Sequence, residues 1–595
     1  QIELKVNEII IQDVALDFKT LTGEKVVITA QAKGQIDAIN QQLSSGTIKN
    51  VVSSARIQEV PDANAAESVG RLPGVSIKRS SGEGNEVVIR GLQPRLNVIT
   101  VNNIRMPSTN EYNTAVGLAG ISQYMLDGIE VRKSLTAEDD ADVVGGIVDL
   151  KLATAPEGFH MNAIMDGMYN GLTNNYGSYR GTIQGSNRFF NNKLGVMAQV
   201  NIEKADRTNH ALSAGFNMDT RVTDNRGVFL TNGNFQKDEI IRDRLGASVL
   251  LDYKLPKGKI QVNSIYNGLG EDRWERDYRF NVAAGAISLD KMMIAADEKN
   301  YSLVNSISLE TEILGMATLD IGAALTIGNR DRTNKALGFW YDASVTEPID
   351  PKFYEDPYGR TAYDQANLKV PFNLSSILSG FVKFGGKMRL KDRTYDYGND
   401  GDLGGIYGGD VDIYKEMIAD NPDIAWPWQW NERPPDKTAL PAYPIYSDDE
   451  DDILEDRVVL EDFAKRHYVE QLVDRARASN WANLPLWKVK AQDLADDYNG
   501  DEKLYAGYLM TELNWGKNIM LNAGVRYEQE ETKYKGYGVT DIASAQDILD
   551  TLDMVKRTND YLLPSVNLRY NYASWGDVRT DLKERAVRAR HQSGA

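Results

Sequence analysis

The sequence predicts a membrane all-β protein, an antiparallel transmembrane β-barrel preceded by a small α/β domain. Three observations carry this. From about His160 onward, apolar and polar residues alternate with period two over runs of about ten to fifteen residues, longer than the usual five or six of soluble sheets. Tight turns between these runs alternate with long excursions, the asymmetry of a barrel with short turns at one rim and long loops at the other. Between about Pro61 and Lys151 the apolar runs are instead short, β-branched and broken by Gly, Pro and Asn, as in a compact domain of short strands.

Composition narrows the function. No stretch is long and apolar enough for a helical membrane span, which needs about 18–20 residues; alternating barrel strands never look hydrophobic in a window. A net charge of −18 argues against nucleic acid, because a phosphate-binding surface needs clustered Lys and Arg. The absence of cysteine removes disulfides, thiolate catalysis and Cys-ligated zinc. His160, His210, His467 and His591 form no ligand-spaced pair, and neither a serine nucleophile motif nor a phosphate-binding glycine loop is present. The chain reads as a non-enzyme without cofactor or metal.

The compact domain contains Leu72-Pro73-Gly74-Val75, Val87-Val88-Ile89-Arg90-Gly91-Leu92, the run Asn97–Ile104, Leu126-Asp127-Gly128-Ile129-Glu130-Val131, and Gly145-Gly146-Ile147-Val148-Asp149-Leu150. A short helical run, Ala63 to Val69, follows Pro61 and precedes the Leu72 turn. In order and spacing these pieces closely resemble the plug domain of TonB-dependent outer-membrane receptors, and the resemblance covers nearly the whole chain. It implies an α/β plug inside a barrel of 22 strands, of which about half are present. It also implies import of a scarce nutrient (ferric siderophore, cobalamin, oligosaccharide or peptide) across the outer membrane of a Gram-negative bacterium. The implied partners are TonB with its inner-membrane energising complex, outer-membrane lipid, the small nutrient, and a surface lipoprotein.

Ile2 to Phe18 alternates as two short strands and resembles the end of the carboxypeptidase-regulatory-like sandwich of Bacteroidetes-type receptors; residues 1–23 are expected to be its remnant. Glu24, Lys25, Val26, Val27, Ile28, Thr29 and Ala30 resemble the Ton box, since a β-branched run flanked by polar residues can add as a strand to a partner's sheet edge. An ordinary edge strand is the alternative. Residues 24–44 are expected to be Ton box and linker, and 45–156 the plug.

Within the plug, the resemblance makes Ile89-Arg90-Gly91 a plug motif whose arginine is a buried strut, with Glu130 as its partner. The contact either breaks when TonB pulls or is a static ion pair. Gly145 and Gly146 fit a closing motif where backbone must approach closely. The preceding Ala137–Asp142 is unusually acidic, and Val143-Val144 stands where many relatives have Tyr-Gly. Arg95, Asn97, Asn110 and Tyr112 fall on expected plug apices, where relatives touch ligand.

The barrel is expected over 157–579. Leu194, Val196, Ala198, Val200 and Ile202 share one face, against Gly195, Gln199, Asn201 and Glu203; Leu245, Ala247, Val249, Leu251 and Tyr253 oppose Gly246, Ser248 and Asp252. Ala317 to Ile327 and Leu521 to Tyr527 repeat the pattern, giving about eleven strands in all. A soluble sandwich would show the same alternation with its apolar face buried. An outer loop of about 395–501 carries Trp426, Trp428 and Trp430, candidates for stacking on ligand, and the acidic run Asp448–Asp452, a candidate for Ca²⁺. Loop self-packing and plain solvation are the alternatives. Alternation stops near Arg579 and 580–595 is a basic tail, so a truncated or frameshifted longer receptor is expected; with no secretion signal at Gln1, the sequence is expected to start inside the mature protein. A surface-binding or adhesion barrel with a static plug is the competing function.

Overall fold

The computed structural model describes residues 36, 38–43, 45–59, 62, 64–110, 113–218, 228–283, 286–342, 346–349, 358–375, 377–395, 402–403, 451–453, 458–460, 466–467, 470, 487–488, 497–516, 518–539, 548–573 and 576–583. The expected Ton box, the sandwich remnant, Tyr112, the three candidate tryptophans and residues 584–595 lie outside them.

The front of the described chain builds a five-stranded sheet in the order β1-β6-β7-β4-β5. Its strands are β1 (Lys49–Ser53), β4 (Asn97–Val101), β5 (Ile104–Arg105), β6 (Leu126–Arg132) and β7 (Gly146–Leu152). A separate hairpin, β2 (Val75–Ser80) with β3 (Glu83–Ile89), and two short helices, α1 (Ser54–Gln58) and α2 (Ala65–Gly70), pack around it. Asn64 caps α2, its Oδ1 accepting from Ala66 N at 3.0 Å and Glu67 N at 3.4 Å, so the helix starts two residues later than Ala63. Gly74 turns the chain into β2 with φ of 68°, a conformation costly for any residue with a Cβ. A Cβ on Gly146 would stand 2.6 Å from the Arg132 carbonyl, which is why the β6–β7 pairing needs glycine there.

Most of the remaining described residues form one antiparallel wall. Its strands are β8 (His160–Asn170), β9 (Asn175–Phe189), β10 (Leu194–Asp206), β11 (Asn209–Met218), β12 (Val228–Leu255), β13 (Gly258–Ala283), β14 (Ala286–Ile313), β15 (Ala317–Asp342), β16 (Thr346–Ile349), β17 (Tyr358–Asn373) and β18 (Leu378–Tyr395). Four short strands follow inside the long excursion: β19 (Asp402–Leu403), β20 (Asp451–Ile453), β21 (Val458–Leu460) and β22 (Trp487–Lys488). The wall resumes with β23 (Tyr498–Trp515), β24 (Ile519–Val539), β25 (Ile548–Ala573) and β26 (Gly576–Lys583). Thirteen strands run edge to edge from β26 to β8, with β11 on β12 and β16 on β15 as extensions, rather than the expected eleven. Several are also longer than expected, up to the 28 residues of β12 and β14. The alternation undercounts them because it fades where a strand leaves apolar surroundings and polar residues occupy both faces.

The two faces decide what kind of sheet this is. On β10, Val200 and Ile202 are 49% and 47% exposed, whereas Gln199, Asn201 and Glu203 are buried. Leu245, Val249 and Tyr253 of β12 and Val525 and Tyr527 of β24 are exposed in the same way, opposite buried Ser248, Asp252, Arg526 and Glu528. Apolar side chains outside and polar ones inside are the inverse of a soluble sandwich, and fit a wall whose outer face meets lipid. The inner face closes on the front domain: Met197, Leu250, Ile265 and Val304 of the wall join the core of Ile57, Ile89, Leu118, Ile129 and Leu150. The front domain is therefore a plug, and the wall is the barrel wall around it.

Candidate functional site: the seam between plug and wall

Charge is concentrated where plug meets wall, at two places. The first is the β2–β3 hairpin. Glu83, at its tip, is 2% exposed and takes a 2.7 Å hydrogen bond from Arg242 Nη1, together with ion pairs to Arg244 and Arg207. Arg244 Nε also donates to the Ala119 carbonyl at 2.8 Å. Burial by itself would raise the Glu83 carboxyl, but the guanidiniums of Arg244, Arg207 and Arg242 outweigh it and hold the group below the usual carboxylate range.

The second is the acidic run after β6. Asp140 accepts from Lys387 Nζ at 2.9 and 3.0 Å, from Arg389 Nη1 at 3.1 Å and from Arg526 Nη2 at 3.2 Å, all on β18 and β24. Glu138 pairs with Lys383, and Asp142 accepts from Arg105 Nη1 of the plug at 2.8 Å. Ala141 N donates to Glu528 Oε1 at 3.1 Å, and Asn567 Nδ2 to the Leu135 carbonyl at 3.3 Å. Burial would raise Asp140, yet Lys387, Arg389 and Arg526 pull it far below its ordinary value. The acidity noted at Ala137–Asp142 is thus the plug half of an ionic contact whose other half lies some 245 residues downstream.

Lighter contacts add to the seam, among them Arg180 Nη1 to the Asp62 carbonyl at 2.9 Å. At the plug apex, Arg393 donates to the carbonyls of Asn110 and Asn113, the latter at 3.1 Å, and Asn300 Nδ2 donates to Thr109 Oγ1 at 2.9 Å. At the other end Arg569 donates to the Ser45 carbonyl at 3.2 Å, and Arg579 to the Thr47 carbonyl at 3.0 Å, gripping the chain just before β1.

Several expected site residues stand elsewhere. Arg90 is not a buried strut. Ile89 fills the core, so the next residue turns outward, and Arg90 sits exposed at φ 54° followed by Gly91 at φ 74°. Glu130 instead pairs with Lys49 at 3.5 Å and Arg132 at 3.7 Å. Asn97 is 3% exposed and donates to the Val87 carbonyl at 2.9 Å; it ties β3 to β4 and is not an apical ligand contact. Gly145 lies against it, and a Cβ there would collide with its side-chain oxygen. Arg95 is exposed and donates to Gln93 Oε1 at 2.9 Å, while Asn110 is half-buried in the clamped apical loop. Glu83 and the wall bases were invisible to motif reading, because nothing local marks a carboxylate whose partners lie more than a hundred residues away.

Comparison with known proteins agrees with this geometry. Residues 41–147 match the TonB-dependent Receptor Plug Domain family model. The vitamin B12 transporter BtuB of Vibrio vulnificus (strain YJ016) is 26% identical over 137 residues, covering 22% of this chain and 21% of that protein. Among solved structures, the closed form of the ferric-catecholate import receptor Fiu from E. coli K12 superposes with a TM-score of 0.52 at 12% identity, over 91% of this chain and 65% of that one. The hemophore receptor HasR of Serratia marcescens, in complex with its hemophore HasA and heme, gives 0.50 at 10% identity, over 91% and 64%. The chain thus spans less than two thirds of the length of these receptors and about a fifth of that of BtuB. By the match of residues 41–147 the front domain is a plug domain of the TonB-dependent receptors, and the wall has the fold of receptors in that family, whose members are outer-membrane proteins of Gram-negative bacteria.

Proposed function

We propose that this receptor binds a scarce nutrient at the cell surface and passes it to the periplasm when TonB, grasping Glu24–Ala30, pulls the plug out of register with the wall. The observation that supports this is the form of the seam. The plug is held by two compact ionic contacts, at Glu83 and Asp140, beside the apolar packing of Met197, Leu250, Ile265 and Val304 of the wall on its core. Such contacts fix the plug's register on the wall, and charges released from them can be solvated as water enters a lumen lined with polar groups. Relatives named for vitamin B12, ferric catecholates and heme support the nutrient class, and the choice of cargo stays among ferric siderophore, cobalamin, oligosaccharide and peptide.

The static-plug reading draws on the same contacts, since many buried ion pairs also make a plug that stays put. Deleting Glu24–Ala30 separates the two. A transporter keeps surface binding of its nutrient and loses uptake, whereas an adhesion barrel keeps everything it had. Uptake that survives the deletion overturns the TonB-driven mechanism.

A further inference from the structure

Between the amino-terminal chain and the hairpin contact stands one buried base. β1 is an edge strand, paired only with β6, in the register Lys49↔Arg132 to Ser53↔Gly128. Just past the end of β6, Lys133 N donates to the Ile48 carbonyl at 2.9 Å. The side chain of Lys133 then turns the other way: Nζ donates to Asn50 Oδ1 of β1 at 2.7 Å and to the carbonyl of Pro73, the residue before the turn into β2. Arg90 N donates to the neighbouring Gly74 carbonyl at 3.0 Å, so this turn holds both ends of the hairpin whose tip carries Glu83.

We propose that Lys133 couples β1 to the β2–β3 hairpin, so that withdrawal of β1 pulls the hairpin, and with it Glu83, away from Arg242 and Arg244. The inference rests on the reading that tension enters through the amino-terminal chain. Its chemistry is unusual for a purely structural contact. Lys133 is 8% exposed and its acceptors are an amide oxygen and a carbonyl. Burial, and then the nearby Arg90, lower its affinity for the proton. A buried ammonium without a carboxylate stabilises little compared with an apolar side chain of the same length. As a link it has what a methionine lacks, since its ammonium holds one oxygen on each side of the joint. Arg132 makes a parallel connection, from β6 to Asp139 at 2.8 Å, toward the acidic run.

The test is a pull on the amino-terminal end of single receptors held in native outer-membrane vesicles. In the natural receptor, β1 and the hairpin leave together, in one step that frees roughly forty residues, about 140 Å of chain at ~3.5 Å per residue. Lys133→Met is expected to shorten the first step to less than half, with the hairpin leaving in a separate, later step, and Lys133→Arg to restore the single long step. Asn50→Leu cuts the same link from the strand side and is expected to shorten the step as Lys133→Met does. A long single step in both Lys133→Met and Asn50→Leu overturns the proposal, even if either variant lowers the plug's unfolding midpoint. No TonB is present in this measurement, so the outcome stands apart from that of the Glu24–Ala30 deletion, which tests the transport reading alone.

Discussion

Asp140 is a carboxylate with three bases of the wall around it, and Glu83 repeats the arrangement on the hairpin. Replacing Asp140 by Asn keeps the shape and removes the charge, leaving Lys387, Arg389 and Arg526 facing one another. Breaking a buried pair in this way costs about 3–5 kcal/mol, read as faster amide exchange over residues 136–144 of the variant. The same two acids contribute to the response to pH. Both are held below the usual carboxylate range, so their contribution is complete above the unfolded values of about 4 and disappears only as pH falls through the lowered folded ones. Protease protection of the hairpin is expected to be flat from neutral pH to about 5 and to fall only below about 4. A loss beginning near pH 6 would assign the contact to other groups. At this scale the sequence was least informative. Motif likeness put the strut at Arg90, but alternation with core-filling Ile89 sends that side chain outward. The working carboxylate, Glu83, has no local mark at all.

Strands and turns were read far better, because their signal is local. Pro256 and Lys257 lie between β12 and β13, and Gly516 and Asn518 between β23 and β24, while most of the expected apolar positions of β10, β12, β15 and β24 fall on the outer face. Strand length was read worst, since period-two contrast needs one apolar side, and the ends of β12 to β15 carry polar residues on both. The face assignment predicts unequal effects of charge. Leu325, 44% exposed on β15, should cost about 2–4 kcal/mol as Leu325→Arg near the bilayer midplane. The next residue, Thr326, is fully buried toward the lumen side, where added bulk meets protein and not lipid. Urea unfolding in vesicles checks the first figure. No loss for Leu325→Arg would place that face away from lipid.

For the molecule as a whole, the order of plug pieces was enough to foresee a stopper within a wall, and the match of residues 41–147 to the plug family bears that out. How the two bodies hold together was not foreseeable, since it depends on pairs such as Glu138 with Lys383 that only the folded register brings together. The height of the wall carries a consequence of its own. The 28 residues of β12 rise about 95 Å at ~3.4 Å each, or about 67 Å vertically at a barrel tilt near 45°. Among its described side chains the exposed large apolar ones, Leu245, Val249 and Tyr253, all lie within the last eleven residues, next to the short turn, and hydrocarbon covers only about 30 Å. Roughly half of this rampart therefore stands in water above the bilayer. The plug core meets the wall at Leu250, in the same lower part of β12, so the polar upper half of the wall rises beyond the stopper.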